Sequence, residues 1–221
     1  MSDLYSEAHR RFQDGKGTRN LADRLESLAH PEFDAADRAF IEAAAMFFLA
    51  TVDHKGRPTV SYKGGAPGFV RITGPGALVF PIYDGNGMFL SMGNIANSTN
   101  VGMLFIDFES PRRLRVQGRA GIVESEELLR ELPGAQYLVS VAAEQVFVNC
   151  GRYIHKVSSR TLSPHIPDEA GRQPFPQWKR IDILAETLAD DDKLRVARAG
   201  GAIPVDAYRG EDSPDRGSTL D

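Results

Sequence analysis

The sequence predicts a mainly β protein with flanking helices, its centre a six-stranded antiparallel barrel. Three features carry that prediction. Six strand-like segments are joined in pairs by short polar links, a helix-like segment interrupts them between the second and third pair, and helical patterning precedes them all.

The first helical signal is "TRNLADRLESL", which sets Leu21, Leu25 and Leu28 on one face at four- and three-residue spacing. A second helix starts near Asp34, where "FDAADRAFIEAAAMFF" offers an aspartate cap followed by good helix formers. Both are amphipathic, so they are expected to pack on the main domain or on a partner subunit. They define an N-terminal helical extension over residues 1–46.

The strands begin at Phe47. "FFLATV" and "PTVSYK" flank the hairpin link "DHKGR", "GFVRIT" and "ALVFPIY" flank "GPG", and "VGMLFIDF" and "RRLRVQGRAGIV" flank "ESP". Closing such a sheet removes its exposed edges. "GNGMFLSMGNIANSTN" breaks the pattern and suits a short helix crossing one barrel end. After the third hairpin, "SEELLREL" reads as a helix capped by Ser125, and "YLVSVAAEQVFVNC" reads as a long strand whose alternation slips once between Ala143 and Val146. The barrel domain is placed at residues 47–157. The C-terminal extension, 158–221, carries a proline-rich stretch, one helix near Ile181 to Arg198 and a disordered tail, "RGEDSPDRGSTLD".

Composition narrows the function. Twenty-six Lys and Arg against 30 Asp and Glu give a net charge of −4 over 221 residues, which argues against nucleic-acid and anionic-membrane partners. Cys150 is the only cysteine, so neither an intrachain disulfide nor a multi-cysteine metal site is expected, and no metal is assigned. The N-terminus lacks a signal-peptide core, and the apolar stretch from Ala43 to Val52 is far short of the ~20 residues that span a bilayer. A cytoplasmic protein is expected.

Candidate chemistry concentrates on cations and glycines. In "FVRIT", Arg71 and Thr73 share one strand face; in "RRLRVQG", Arg113, Arg115 and Gln117 do the same. Lys63 lies upstream of Arg71 across the glycine-rich stretch "GGAPG", and "DGNG" precedes a helix whose first N–H groups favour an anion, with Asn86 and Ser91 beside them. Guanidinium, ammonium and free amides together describe a phosphate site. Neither a Walker loop nor a dinucleotide fingerprint is present, because the spacing and the βαβ context are wrong. No G-x-S-x-G elbow supports hydrolase chemistry.

The series "FFLATVDHKGRPTVSYKGG", "GFVRI", "LVFPIYDGNGMFLSMGNIANSTNVGMLFIDF" and "RRLRVQGRA", in this order, resembles the pyridoxamine 5′-phosphate oxidase-like family of split-barrel flavin-binding proteins. The resemblance implies a homodimer with FMN at the subunit interface. Carried over by position, it implies that Arg71 and Thr73 contact the flavin and that the backbone of Phe80 and Pro81 lies against its rings. Asn86 and Ser91 would hold phosphate, Arg113, Arg115 and Gln117 would line the site, and Lys63 would add a contact. Where oxidases of the family begin the crossing helix with arginine and lysine, this sequence reads Leu90 and Ser91. Its lone Trp178 also has neighbours different from those of the vitamer site, so pyridoxamine phosphate is not the expected substrate.

The function expected from the sequence is therefore FMN-dependent oxidoreduction of a small molecule, with no catalytic side chain named. The alternatives are a non-catalytic flavin or haem carrier and a deazaflavin-dependent reductase.

Overall fold

A computed structural model describes residues 4–157 and 162–208. The tail expected to be disordered, from Arg209 onward, lies outside the described residues. The chain divides into two compact units, Met1–Gly171 and Arg172–Asp221.

The first unit opens with three helices: α1 (Glu7–Gly15), α2 (Arg19–Glu26) and α3 (Ala35–Glu42). Asp34 caps α3 by accepting the backbone N–H groups of Ala36 and Asp37, and Asp37 returns the bond to the Asp34 N–H. The leucine face of α2 stays uncovered within the protomer. Leu21, Leu25 and Leu28 are 59%, 50% and 54% exposed and Phe12 of α1 is 80% exposed. Helices this short are marginal alone.

The sheet runs in the order β2-β1-β5-β6-β7-β4-β3. Its strands are β1 (Met46–Val52), β2 (Pro58–Gly64), β3 (Arg71–Gly74), β4 (Ala77–Ile82), β5 (Asn100–Asp107), β6 (Arg112–Val123) and β7 (Tyr137–Val148). Every pairing is antiparallel, and the three predicted hairpins are β1–β2, β3–β4 and β5–β6. The barrel is split because β2 and β3 form its two unpaired edges. It has seven strands rather than six: β7 pairs with both β6 and β4 and joins the two halves.

The slip in the β7 pattern is a bulge. Gln117 of β6 pairs with Gln145, but Gly118 pairs with Ala143, leaving Glu144 as the extra residue. Only glycine fits opposite it, since a Cβ at Gly118 would lie 2.1 Å from the Ala142 carbonyl oxygen.

Alternation then sorts the side chains. Phe47, Leu49, Phe80, Met103, Phe105, Leu114 and Val116 fill the interior, with Phe47 touching Phe69, Phe80 and Phe105 at centroid distances of 5.0–5.9 Å. Truncating Phe47 to alanine would cost about 3–5 kcal/mol. Helix α4 (Leu90–Asn97) crosses from β4 to β5 and drops Met92 and Ile95 into this core. Helix α5 (Glu126–Glu131), capped by Ser125, lies in a segment that covers the other face of β4 and β7 at Val79 and Leu138.

The second unit replaces the single predicted helix by a 3-10 turn, Asp182–Thr187, followed by α6 (Asp190–Arg198). Leu188 and Ala189, both extended, separate the two. Lys179 is buried there and bonds Asp192 at 2.9 Å. Among the described residues no helix is long and apolar enough to cross a membrane.

Candidate functional site

Polar side chains from two elements fix α4 on the barrel. Asn94, 5% exposed, donates its amide to Thr51 Oγ1 at 2.9 Å and Thr59 Oγ1 at 3.2 Å, and the two threonine hydroxyls are 2.9 Å apart. One turn earlier, Ser91 and Ser61 hydroxyls meet at 3.0 Å. The start of α4 is therefore held against the interior side of β2.

A pocket of about 370 Å³ opens at that point, between β2, the end of β4 and the 85–89 loop. Lys63, Asn86 and Ser91 all line it. Lys63 stands opposite Phe47 in the β1–β2 register, so its side chain shares the interior face. Burial lowers its pKa, and among the described residues no carboxylate pairs with it. Tyr83, on the same wall, has its phenol pKa raised by burial and stays neutral at physiological pH.

The N-terminus of α4 faces this pocket without a side-chain cap. Its N-cap is Phe89, the one described non-glycine residue with positive φ, at 46°. Such a backbone is sparsely populated and marks functional positions when the surroundings enforce it. Asn86 Oδ1 accepts the Met88 N–H at 3.1 Å and so shapes the loop rather than capping the helix. An ammonium, two hydroxyls and the free N–H groups of a helix start converge here, a combination suited to a phosphate.

The other expected residues lie elsewhere. Arg71 and Thr73 are exposed on edge strand β3. Phe80 is a core side chain and Pro81 is buried on β4. Arg115 and Gln117 stand on the outer face of β6, and Arg113 lines a separate cavity beside α3. Within one protomer the structure thus brings three of the ten together.

The glycine-rich stretch is not an open amide cradle. Its N–H groups at Gly65, Gly68 and Phe69 are bonded to the carbonyls of Ala45, Glu42 and Ala66. Gly65 is required by packing, because a Cβ there would fall 2.4 Å from the Phe69 ring. Sequence reasoning also missed Ser61, Thr51, Thr59 and Asn94. Their alternation on β1 and β2 was visible, but their partners on α4 lie 30 to 43 residues away.

A further polar cluster joins His30, Asp34 and Asp37. His30 Nε2 lies 3.5 Å from Asp37 Oδ2, and burial raises the Asp37 pKa. Both carboxylates are engaged at the start of α3, and His30 pairs with Val146, so the cluster ties the N-terminal segment to β7.

The outer sheet face carries a largely apolar row. Cross-strand register aligns Tyr62, Phe48, Leu104, Arg115 and Phe147 in one row. Tyr62 is 63% exposed and Val60, beside it, 68%.

Comparison with known proteins places this architecture. No curated protein sequence matches the chain. Among solved structures, HupZ of Group A Streptococcus is 18% identical, with 52% of this chain and 93% of that one covered at a TM-score of 0.44. HutZ, the heme storage protein of Vibrio cholerae, is 21% identical over 53% and 94% at 0.40. An FAD-binding protein of Mesorhizobium loti is 14% identical over 55% and 96% at 0.36. The family model of pyridoxamine 5′-phosphate oxidase matches residues 33–159, more than half of the sequence and the whole of the barrel, and the chain therefore belongs to that family.

Proposed function

We propose that this protein binds FMN and catalyses flavin-dependent oxidoreduction of a small molecule as a homodimer. The observation that carries the reading is Lys63: a half-buried ammonium with no acidic partner among the described residues, facing an uncapped helix start in a pocket of about 370 Å³. A buried charge without a partner is costly, and a phosphate monoester supplies the missing one.

In this reading Lys63, Ser91 and the first amides of α4 hold the phosphate, and Ser61 orients the Ser91 hydroxyl. The flavin, when bound, supplies the hydride or electron chemistry. The chain's own residues bind and orient it, and Tyr83 adds a neutral hydrogen-bond donor at the pocket wall.

Homodimerisation reconciles the ten residues. Lys63 faces the barrel interior whereas Arg115 and Gln117 face outward. One ligand can touch both sets when a second copy supplies one of them. The apolar row through Tyr62, Phe48 and Leu104 and the uncovered leucines of α2 offer surface for that second copy.

The test is direct. Protein loaded with FMN and desalted should retain the flavin absorption bands and elute as a dimer in light scattering. A folded protein that returns bare refutes the flavin reading, and a retained Soret band or deazaflavin absorbance in its place assigns the site to those cofactors instead. Turnover of a nicotinamide donor with an acceptor separates an enzyme from a carrier.

A further inference from the structure

We infer that the leucine ridge of α2 seats, antiparallel, in the alanine groove of α3 on a second copy of the chain. The inference rests on the homodimer of the proposed function and names the helices through which the two copies meet.

The ridge faces away from its own protomer. α1 packs on the opposite side of α2, where Ala22 is buried and Arg10 pairs with Asp23 and Glu26. Leu21, Leu25 and Leu28 are left half exposed or more, at four- and three-residue spacing. A contiguous apolar row of this kind marks a contact surface.

The groove lies along α3 and has a volume of about 370 Å³. The exposed Ala36, Ala39 and Ala43 line it together with Phe40, and Ile106, Asp107 and Arg112 at the β5–β6 hairpin form its other wall. Alanine leaves open the space that a longer side chain can fill.

Spacing selects the occupant. Ala36, Ala39 and Ala43 follow one another at three and four residues, the reverse of the leucines. Laid antiparallel, the two rows come level throughout: Leu21 opposite Ala43, Leu25 opposite Ala39 and Leu28 opposite Ala36. A large side chain then meets a small one at each step, as ridges packed into grooves require. Two leucine ridges set face to face would pair large with large and leave both grooves open. Two-fold symmetry makes the exchange reciprocal, each copy giving one ridge and one groove.

Charge agrees with that direction. Arg24 flanks the ridge, exposed, and among the described residues its guanidinium meets only the Ser27 hydroxyl. Glu42 flanks the groove, exposed and with no cationic partner among the described residues. At 3.6 residues per turn both fall on the same side of an antiparallel seam. The charges on the groove's other wall are already matched, since Arg112 pairs with Asp107 at 3.6 Å and lies over the Phe40 ring at 5.2 Å.

The test uses the full chain with Cys150→Ser, so that no native thiol interferes. Leu25→Cys and Ala39→Cys, both exposed in the protomer, are combined in one chain and oxidised. A dimer band on a non-reducing gel, with the peptides of positions 25 and 39 joined in the mass spectrum, is expected. A link between two copies of position 25, or a 25–39 link within a monomer, overturns the inference. Charge exchange gives the second reading: Arg24→Glu and Glu42→Arg should each raise the dimer dissociation constant about fivefold, and the double variant should restore it. A dimer with neither the 25–39 link nor the rescue overturns the inference and leaves the homodimer standing. A wild type that scatters as a monomer removes both.

Discussion

Replacing Lys63 by methionine isolates the phosphate contact from everything else at the site. Methionine keeps an unbranched apolar stem and removes only the charge. A hydrogen bond to a charged group contributes about 1.5–3 kcal/mol, so FMN affinity should fall by about tenfold to a hundredfold. Riboflavin, which lacks the phosphate, should bind wild type and variant alike.

Stability should move the other way. Burial already lowers the Lys63 pKa in the free protein, so the folded state holds its proton less firmly than the unfolded chain. Between that lowered value and 10.5, the unfolded state binds more protons and stability rises with pH. The methionine variant should lose this alkaline rise and melt no lower than wild type at neutral pH.

FMN affinity carries the opposite dependence, because the phosphate selects the ammonium. It should weaken as pH rises through the lowered Lys63 pKa, and also below ~6, where the phosphate takes up a proton. Only the alkaline weakening should vanish in Lys63→Met. Flavin fluorescence quenching measures these affinities. A folded variant whose FMN affinity stays within about twofold of wild type would refute the assignment of Lys63 to the phosphate.

Three further outcomes test the surrounding structure. Asn94→Ala removes the amide donor to Thr51 and Thr59 beneath α4, leaving their hydroxyls only each other, and should cost about 1–3 kcal/mol in urea unfolding; an unchanged midpoint would show that the network does not pin the helix. Asp53, whose carboxylate takes the Arg57 and Lys55 N–H groups and the Arg57 guanidinium in the β1–β2 turn, should titrate at about 2 by NMR. Its contribution to the hairpin is present above the ordinary carboxylate range and is lost as pH falls through about 2, and a midpoint near the ordinary 3.8 would remove it from the turn. Tyr62→Arg sets a charge in the middle of the apolar outer row and should yield monomer by light scattering with FMN binding lost alongside; a dimer that keeps its flavin would place the interface elsewhere.

The elements were legible in the sequence where one local rule decided them. Polar links set the three hairpins, Asp34 and Ser125 announced α3 and α5, and the slip after Ala143 foretold the bulge at Glu144. β7 was read as a strand but left out of the barrel, because it follows a helix rather than a tight turn and its place between β6 and β4 is a long-range pairing. Lys63, Asn86 and Ser91, singled out from glycine and helix-start signals, line one pocket. The glycine loop misled for a physical reason: its amides are consumed by carbonyls of Glu42, Ala45 and Ala66, and its glycines make room for Phe69.

The most direct test of the account is the absorption spectrum of the purified protein after incubation with FMN and desalting. Flavin bands retained at one cofactor per chain, the stoichiometry of the proposed symmetric dimer, are the result the account predicts. A folded dimer that retains no flavin would contradict it.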